Sequence, residues 1–76
     1  MNSVTEYPKI SLKAARVNAN LSQEEAAKRI GVCKSTLQHY EKGETVPDWN
    51  TVDEIARVYN FPASLIYFNQ KLALSE

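Results

Sequence analysis

The stretch that decides the fold runs from Gln23 to Lys42 and reads QEEAAKRIGVCKSTLQHYEK. Placed at about 100° per residue, its apolar side chains share one side of each half. They are Ala26, Ala27 and Ile30 before Gly31, and Leu37 and Tyr40 after it. Glycine at position 31 suits a turn that needs a positive φ. The spacing therefore predicts two short one-sided helices, 23–30 and 34–42, joined too tightly to lie antiparallel.

The residues in front of each predicted helix indicate how it begins. Ser22 stands at an N-cap position, with Glu25 three residues later as the partner of a capping box. Cys33 stands at the N-cap of the second helix, where a thiol is a poor hydrogen-bond acceptor. We expect this cysteine to cost the helix a few tenths to about 1 kcal/mol. Two helices joined in this way form a helix-turn-helix.

Several coincident positions match a known family. They are Leu21-Ser22-Gln23, Ala26-Ala27, Ile30-Gly31-Val32, Thr36-Leu37, Tyr40-Glu41-Lys42-Gly43 and Pro47. Through them the chain resembles the phage repressor and Cro-like helix-turn-helix family over residues 9–67. The resemblance implies an all-α, five-helix, lambda-repressor-like domain that binds double-stranded operator DNA.

The rest of the chain is predicted to complete this domain. A first helix is expected over 9–19, a fourth from Pro47 and Asp48 to Asn60, and a short fifth after Pro62. The spacing within the fourth predicts five core residues: Trp49, Val52, Ile55, Ala56 and Tyr59. We expect residues 1–8 to form a flexible N-terminal arm and 68–76 a C-terminal tail.

Composition excludes several classes of protein. Apolar residues make up 43% and charged residues 24% of the 76-residue chain, which is typical of one small globular domain. No apolar run approaches the ~20 residues that span a bilayer, and no signal pattern opens the chain. We therefore expect a cytoplasmic protein without membrane contact.

Charge is zero overall but unevenly distributed. Between Lys9 and Gly43 seven basic residues accompany three acids, whereas from Glu44 onward two basic residues accompany five acids. The positive half contains the helix-turn-helix. Within it, Lys28 and Arg29 are expected to pair with the acids four residues before them on a solvated face.

Catalysis and metal binding lack suitable residues. The single cysteine and single histidine, Cys33 and His39, point about 120° apart on one helix and form no thiol–imidazole pair. A structural zinc site needs about four nitrogen or sulfur ligands. No glycine-rich phosphate loop is present. The sequence predicts neither an enzyme, nor a cofactor, nor a metal site.

The resemblance makes helix 34–42 the recognition helix. Its outward residues, expected to read bases in the major groove, are Lys34, Ser35, Gln38 and His39. Lysine can donate to guanine, and glutamine can bond to an adenine edge. The residues expected to hold phosphates are Ser22, Gln23 and Lys42, the first two at a helix N-terminus. Any exposed helix also shows polar residues, so composition alone does not decide the role.

Two further features of the family bear on DNA affinity. The resemblance implies that Arg16 and Glu41 form a structural, partly buried ion pair, which would remove Arg16 from the DNA contacts. The loop after the recognition helix carries Glu44 and Asp48, where relatives often have basic residues that contact phosphates. Weak or salt-sensitive DNA binding is one consequence.

On the first helix Leu12, Ala15 and Ala19 form one apolar stripe, which we assign to the core, and Ile10, Ala14 and Val17 form a second stripe on nearly the opposite side. Either a terminal segment covers it, or it is a surface for a protein partner. The second interpretation supports an alternative function, a protein-binding, antirepressor-like modulator that docks on a repressor. An antitoxin of the same fold is a third possibility.

The tail contains Phe68, Leu72 and Leu74 and few charges. In many relatives this end of the domain builds a twofold contact, which predicts a homodimer through the C-terminal segment. The competing interpretation is a tail folded back over the first helix.

Overall fold

The computed structural model describes residues 9–68. In this part of the chain the elements are β1 (Ile10–Ser11), α1 (Leu12–Asn18), α2 (Gln23–Ile30), α3 (Lys34–Lys42), α4 (Trp49–Tyr59), a 3₁₀ helix (Ala63–Leu65) and β2 (Ile66–Tyr67). A mostly helical helix-turn-helix domain is therefore confirmed. The fifth α-helix is wrong, because Pro62 precedes only a three-residue 3₁₀ turn. The predicted arm, and the tail beyond Phe68, lie outside the described residues.

Local capping fixes both ends of α2. The Ser22 hydroxyl accepts a hydrogen bond from the Glu25 backbone N–H at 3.0 Å, and the Ser22 N–H donates to the Glu25 carboxylate at 3.1 Å. The predicted capping box is thus confirmed. Gly31 ends the helix at φ 96°, with open space where a Cβ would stand. Backbone conformation, rather than crowding, favours glycine there.

The other caps follow the sequence closely. Cys33 is extended in front of α3 and makes no side-chain capping bond, as predicted. The Asp48 carboxylate accepts the Thr51 N–H at 2.9 Å and begins α4. Asn60 ends that helix in the left-handed conformation at φ 54°.

The first helix begins later than predicted. Ser11 caps α1, which starts at Leu12, and Ile10 lies in the short strand β1. That strand runs parallel to β2, with Ile10 opposite Ile66. The predicted start at Lys9 is wrong, because pairing with a distant strand holds the residues before α1 in an extended conformation.

The core lies between the helices and takes residues from all parts of the described chain. Its buried members are Leu12, Ala15, Leu21, Ala26, Ala27, Ile30, Leu37, Ile55, Tyr59 and Ile66. The predicted core face of α4 is confirmed for Val52, Ile55 and Tyr59. It is wrong for Trp49, which is 82% exposed. Helical side chains lean toward the N-terminus, so the first residue of α4 points past the end of its own helix.

Between residues 9 and 68, no helix combines the length and the apolar content that crossing a bilayer requires.

Candidate nucleic-acid interface

The outward face of α3 presents polar side chains to solvent. Four of the residues predicted to contact DNA are exposed there, Lys34, Ser35, His39 and Lys42, and Gln38 is half-buried among them. On the opposite side Leu37 is fully buried and Tyr40 packs against the core. The apolar side thus fixes the rotation of the helix, and its exposed face carries no acid.

A buried ion pair joins α3 to α1. The Arg16 Nε donates to the Glu41 Oε2 at 2.7 Å, and the Nη2 approaches Oε1 at 3.4 Å. The remaining Nη1 donates to the Leu21 carbonyl oxygen at 2.9 Å. The two side chains are 9% and 5% exposed. Arg16 is therefore committed to the interior of the protein, in agreement with its expected structural role.

Hydrogen bonds extend from this ion pair to the surface of α3. The Gln23 Nε2 donates to the Glu41 Oε1 at 3.0 Å. In turn the Gln38 Nε2 donates to the Gln23 Oε1 at 3.2 Å. The two glutamines, one at the start of α2 and one in the middle of α3, therefore hold each other. This arrangement restricts the Gln38 side chain before any ligand arrives.

Tyr59 lies beside the same ion pair. Its hydroxyl is buried and has no hydrogen-bond partner within residues 9–68. Burial raises the pKa of Tyr59 strongly, the Glu41 charge raises it further, and the Arg16 charge opposes them. The phenol is therefore neutral at physiological pH and adds no charge to the site.

The two acids of the loop after α3 have partners within the domain. The His39 Nδ1 is hydrogen-bonded to the Glu44 carboxylate, with both side chains about half exposed. Asp48 caps α4, and the hydrogen bond from the Thr51 backbone lowers the pKa of its carboxyl group. Both carboxylates thus have structural roles, which sequence reasoning saw only for Asp48.

Unlike His39, the lysines and the arginine of α2 and α3 have no ion-pair partner among residues 9–68. Within the described ranges, no ion pair forms at Lys28, Arg29, Lys34 or Lys42. Neither of the expected ion pairs, Glu24–Lys28 and Glu25–Arg29, is present, and for Glu25 the reason is that the capping box holds its carboxylate at Ser22. The hydrogen bond from the Ser22 backbone lowers the pKa of Glu25. The Arg29 charge also lowers the pKa of Glu25, so the three lysines, Lys28, Lys34 and Lys42, are the cations of the motif left for an external anion.

The predicted phosphate-binding residues differ in their freedom. Ser22 is exposed, but both its hydroxyl and its N–H belong to the capping box. Gln23 is half-buried and bonded at both ends of its amide. Lys42 is exposed at the last position of α3. The sequence predicts separate roles for Gln23, as a phosphate contact, and for Gln38, as a base contact. It does not predict the hydrogen bond between them, because that bond depends on how α2 crosses α3.

The second apolar stripe of the first helix is only partly present. Ala14 and Val17 are exposed on α1, with Val17 at 55%. Ile10 is not on the helix; it is half-buried, pairs with Ile66 and packs against the core. The predicted three-residue helical face is therefore wrong for Ile10, because β1 replaces the first turn of the predicted helix.

Comparison with known proteins places these features in context. The sequence profile of the family described as "Helix-turn-helix domain" matches residues 10–66. The cryptic phage CTXphi transcriptional repressor RstR of Vibrio cholerae is 35% identical over 65 residues, which cover 86% of this chain and 59% of that protein. The chain thus spans about three fifths of the length of this relative.

Two further relatives carry similar descriptions. An uncharacterized HTH-type transcriptional regulator of Archaeoglobus fulgidus is 43% identical over 49 residues, or 64% of this chain and 69% of the relative. The HTH-type transcriptional regulator ImmR of Bacillus subtilis is 35% identical over 49 residues, 64% of this chain and 39% of that protein. No solved structure matches the chain.

Proposed function

This chain belongs to the helix-turn-helix domain family, and we propose that it is a sequence-specific, DNA-binding transcriptional regulator of phage or mobile-element type. In this proposal α3 enters the major groove of an operator. The observation that supports it most directly is the exposed face of α3, which offers Lys34, Ser35 and Gln38 with no acid among them. Such a face suits the major groove of DNA, where the base edges present largely hydrogen-bond acceptors.

Base readout depends on how firmly each side chain is held. Gln38 is bonded to Gln23, which is bonded to the buried Glu41, so its amide is already oriented in the free protein. Lys34 and Ser35 stand in the first turn of α3, where a helix entering the groove meets base edges first. His39 completes the set, and its bond to Glu44 through Nδ1 leaves Nε2 for a base.

Phosphate contacts complete the proposed interface. Lys42 supplies a free cation, and the N-terminus of α2 supplies backbone N–H groups beside Ser22 and Gln23. Arg16 takes no part, since its guanidinium is bonded to Glu41 and Leu21. A small number of phosphate contacts predicts modest affinity. Because the salt slope grows with the number of phosphates neutralised, it also predicts a shallow dependence on salt, in place of the salt-sensitive binding expected from the acids of the loop.

An operator selected from random DNA would test the base-reading residues by gel shift. Lys34→Ala and Gln38→Ala are each expected to weaken binding about tenfold or more, and to relax the preference at one base position. Lys13→Ala is the matched control, because Lys13 is an exposed lysine on α1 and belongs to neither helix of the motif. Variants at 34 and 38 that bind the operator as tightly as the wild type would contradict the assignment.

Lys42 can be separated from these residues by its response to salt. As a phosphate contact, Lys42→Ala should weaken binding to all sequences equally and reduce the salt slope by about 1. Repeating the titration at two salt concentrations measures that slope. A change in base preference on this substitution would instead place Lys42 among the base-reading residues.

The proposal also includes a homodimer. Two recognition helices must lie about 34–36 Å apart to contact successive turns of one DNA face. A dimer would double the phosphate contacts and compensate for the few that each copy makes.

A second candidate function rests on the exposed apolar pair of α1. Ala14 and Val17 are uncovered by the rest of the described chain, and the net charge is zero. These features support an antirepressor-like modulator that docks on a repressor protein. Stoichiometric complex formation with a phage repressor, lost in Val17→Asp, would favour it. Ile10 is unsuitable for this test, since it pairs with Ile66 and its substitution would disturb the fold.

A further inference from the structure

Glu44 belongs to the loop after α3, but its backbone is held against the last turn of that helix. Gly43 ends α3 in the left-handed conformation at φ 77°. The Gly43 N–H donates to the Tyr40 carbonyl oxygen at 3.1 Å, and the Glu44 N–H donates to the His39 carbonyl oxygen at 3.0 Å. These two bonds form a Schellman motif. The motif fixes the backbone of Glu44 beside His39.

The side chains of the same two residues are also bonded. The His39 Nδ1 is hydrogen-bonded to the Glu44 Oε1, and both side chains are about half exposed. Backbone and side chain of Glu44 thus both bind a residue that is proposed to read bases. The carboxylate is placed where it can control the imidazole ring, although it also brings a negative charge near the proposed DNA surface, which by itself opposes binding.

This bond decides which nitrogen of the ring carries the hydrogen. A neutral imidazole has one N–H donor and one acceptor nitrogen, whereas an ionised carboxylate only accepts. Nδ1 must therefore donate to Glu44, because two acceptors form no hydrogen bond with each other. In the neutral ring Nε2 then has a lone pair and no hydrogen. The nitrogen of His39 that is left for a base is an acceptor in this form.

We propose that Glu44 is a positioning residue for base specificity: it holds Nε2 of the neutral His39 ring as an acceptor, so that His39 bonds to the exocyclic amino group of adenine or cytosine. The inference rests on the proposed function, in which α3 enters the major groove. There adenine N6 and cytosine N4 are donors, whereas guanine O6 and thymine O4 are acceptors. An acceptor nitrogen can bond only to the first two.

His39 held in this way complements the other base-reading residues. Lys34 has donors and no acceptor, so it favours guanine. Ser35 and Gln38 carry both kinds of group. The ring of His39 therefore adds a contact of the opposite sense to that of Lys34, one that rejects a carbonyl oxygen at the contacted place.

Base analogues test this contact one strand at a time. Each base pair shows one amino group and one carbonyl oxygen at the centre of the major groove, so substitution of whole base pairs cannot tell which strand is read. The base pair is first located in a selected operator as the position where His39→Ala relaxes the preference. One duplex then carries purine in place of adenine there, or the matching analogue of cytosine, which lacks only the amino group. A second duplex carries an analogue of the partner base without its carbonyl oxygen.

Gel shifts at about pH 8.5, where an imidazole is ordinarily neutral, compare these duplexes. Loss of the amino group should weaken binding of the wild type about threefold to tenfold, the range for one hydrogen bond, and loss of the carbonyl oxygen should not. His39→Ala should be insensitive to both changes. It corrects for any effect of the analogues on the duplex itself.

The role of Glu44 is tested by Glu44→Gln in the same assay. A glutamine amide can donate to Nδ1 as well as accept from it, so Nε2 is no longer restricted to accepting and the dependence on the amino group should disappear. Glu24→Gln is the matched control. Glu24 is an exposed glutamate of α2, in the same motif, and makes no hydrogen bond to a base-reading residue. Its substitution removes the same charge and should keep the dependence.

Nitrogen-15 NMR of the full chain gives a readout that needs no DNA. His39 is the only histidine in the chain, so its ring signals are assigned without ambiguity. At about pH 8.5 the wild type and Glu24→Gln should carry the hydrogen on Nδ1, and Glu44→Gln should lose this preference. Circular dichroism of each variant establishes that the fold is retained.

Four results would overturn the inference. They are a wild type with the hydrogen on Nε2, binding that depends on the carbonyl oxygen, an amino dependence that survives Glu44→Gln, and one that survives His39→Ala. The last would assign the contact to the Glu44 carboxylate itself, which can accept from cytosine N4. A wild type that binds no operator would overturn the proposed function as well, whereas dependence on the carbonyl oxygen in a chain that binds would overturn only this inference.

Discussion

The helix-turn-helix side and the groove side of this domain differ in whether their large side chains find partners within the domain. On the first, charged and polar residues are drawn into a connected set that runs from Arg16 through Glu41 and Gln23 to Gln38. The second side is an apolar groove between the start of α4 and the 3₁₀ helix, where the largest apolar side chain of the protein, Trp49, is left 82% exposed. On the first side the polar side chains are bonded to one another without a ligand, and on the second side apolar area is left exposed by the fold.

Because of this difference, substitutions on one side should change the stability of the fold, and substitutions on the other should change association with a partner. Residues of the connected set act on the fold and on recognition together, since removing one leaves another buried and unpaired. The exposed groove residues Val46 and Trp49 can change without much effect on the isolated domain, since neither belongs to the buried core. Substitutions on the two sides should therefore give different signatures, and four predictions test this contrast.

The largest effect is expected for Arg16→Met. Methionine leaves the Glu41 carboxylate buried without its partner, which should cost about 3 kcal/mol and lower the melting temperature by roughly 12 to 24 °C. Thermal unfolding followed by circular dichroism measures the change. The control is Arg57→Met, which breaks the exposed Glu54–Arg57 pair and should cost less than about 1 kcal/mol. A shift of under about one degree for Arg16→Met would show that solvent screens the buried pair.

Helix capping in the motif should give the next largest effects, of opposite sign. Ser22→Ala removes the capping box of α2 and should destabilise the domain by about 1 kcal/mol. Cys33→Ser supplies a cap that α3 lacks and should stabilise it by a few tenths to about 1 kcal/mol. Urea unfolding of both variants tests the pair. A loss of stability in Cys33→Ser would mean that the thiol contributes more by packing than the hydroxyl does by bonding.

On the groove side, Trp49→Ala should change the stability of the monomer by less than about 0.5 kcal/mol. The indole is exposed and contributes little to the core, and alanine favours the helix at that position. Urea unfolding at low protein concentration separates this effect from dimerisation. A loss above about 1 kcal/mol would show that Trp49 packs on the fold, and the contrast between the two sides would then fail.

The smallest effects concern the loss of folding stability at low pH, to which one carboxyl group on each side should contribute in the same direction. Hydrogen bonds from capped backbone N–H groups lower the pKa of Glu25 on the helix-turn-helix side and of Asp48 at the groove. Each of these carboxyl groups has a folded-state pKa below its unfolded value. The stability that its charge contributes is therefore fully present above the ordinary pKa, 4.5 for Glu25 and 3.8 for Asp48, and is lost as the pH falls through the folded-state pKa.

Asp48→Asn isolates this charge, because asparagine caps a helix about as well as aspartate. Urea midpoints measured from pH 6 down to pH 3 should fall less steeply for the variant than for the wild type. Parallel curves would show that the Asp48 charge contributes nothing to the fold.

Much of the fold could be predicted because its signals are local. Ser22 with Glu25, Gly31 in the turn, Gly43 after α3 and Asn60 after α4 each specify a helix end through neighbouring backbone groups alone. Such interactions depend on residues three or four positions apart and are visible in a linear sequence.

The errors arose where distant segments decide the outcome. The spacing of apolar residues places Ile10 in a helix, because its pairing with Ile66 is not encoded near either residue. Trp49 matched the spacing of the α4 core face, and only the position of the helix end shows that it points past the packed region. In the same way, the bond between Gln23 and Gln38 follows from how α2 crosses α3. The identities of the proposed DNA contacts could be predicted, but not the network that orients them.

The parallel pairing of β1 with β2 has a consequence for how the domain opens. Two residues near each end of the described chain form this ladder, which contains few backbone bonds. Closing so long a loop carries a large entropic cost, and a ladder of so few bonds is expected to open before the packed helices do. Amide hydrogens of this ladder should therefore exchange with solvent before those of α2 and α3, and detachment of Ile10 from one end would uncover Ile66 at the other.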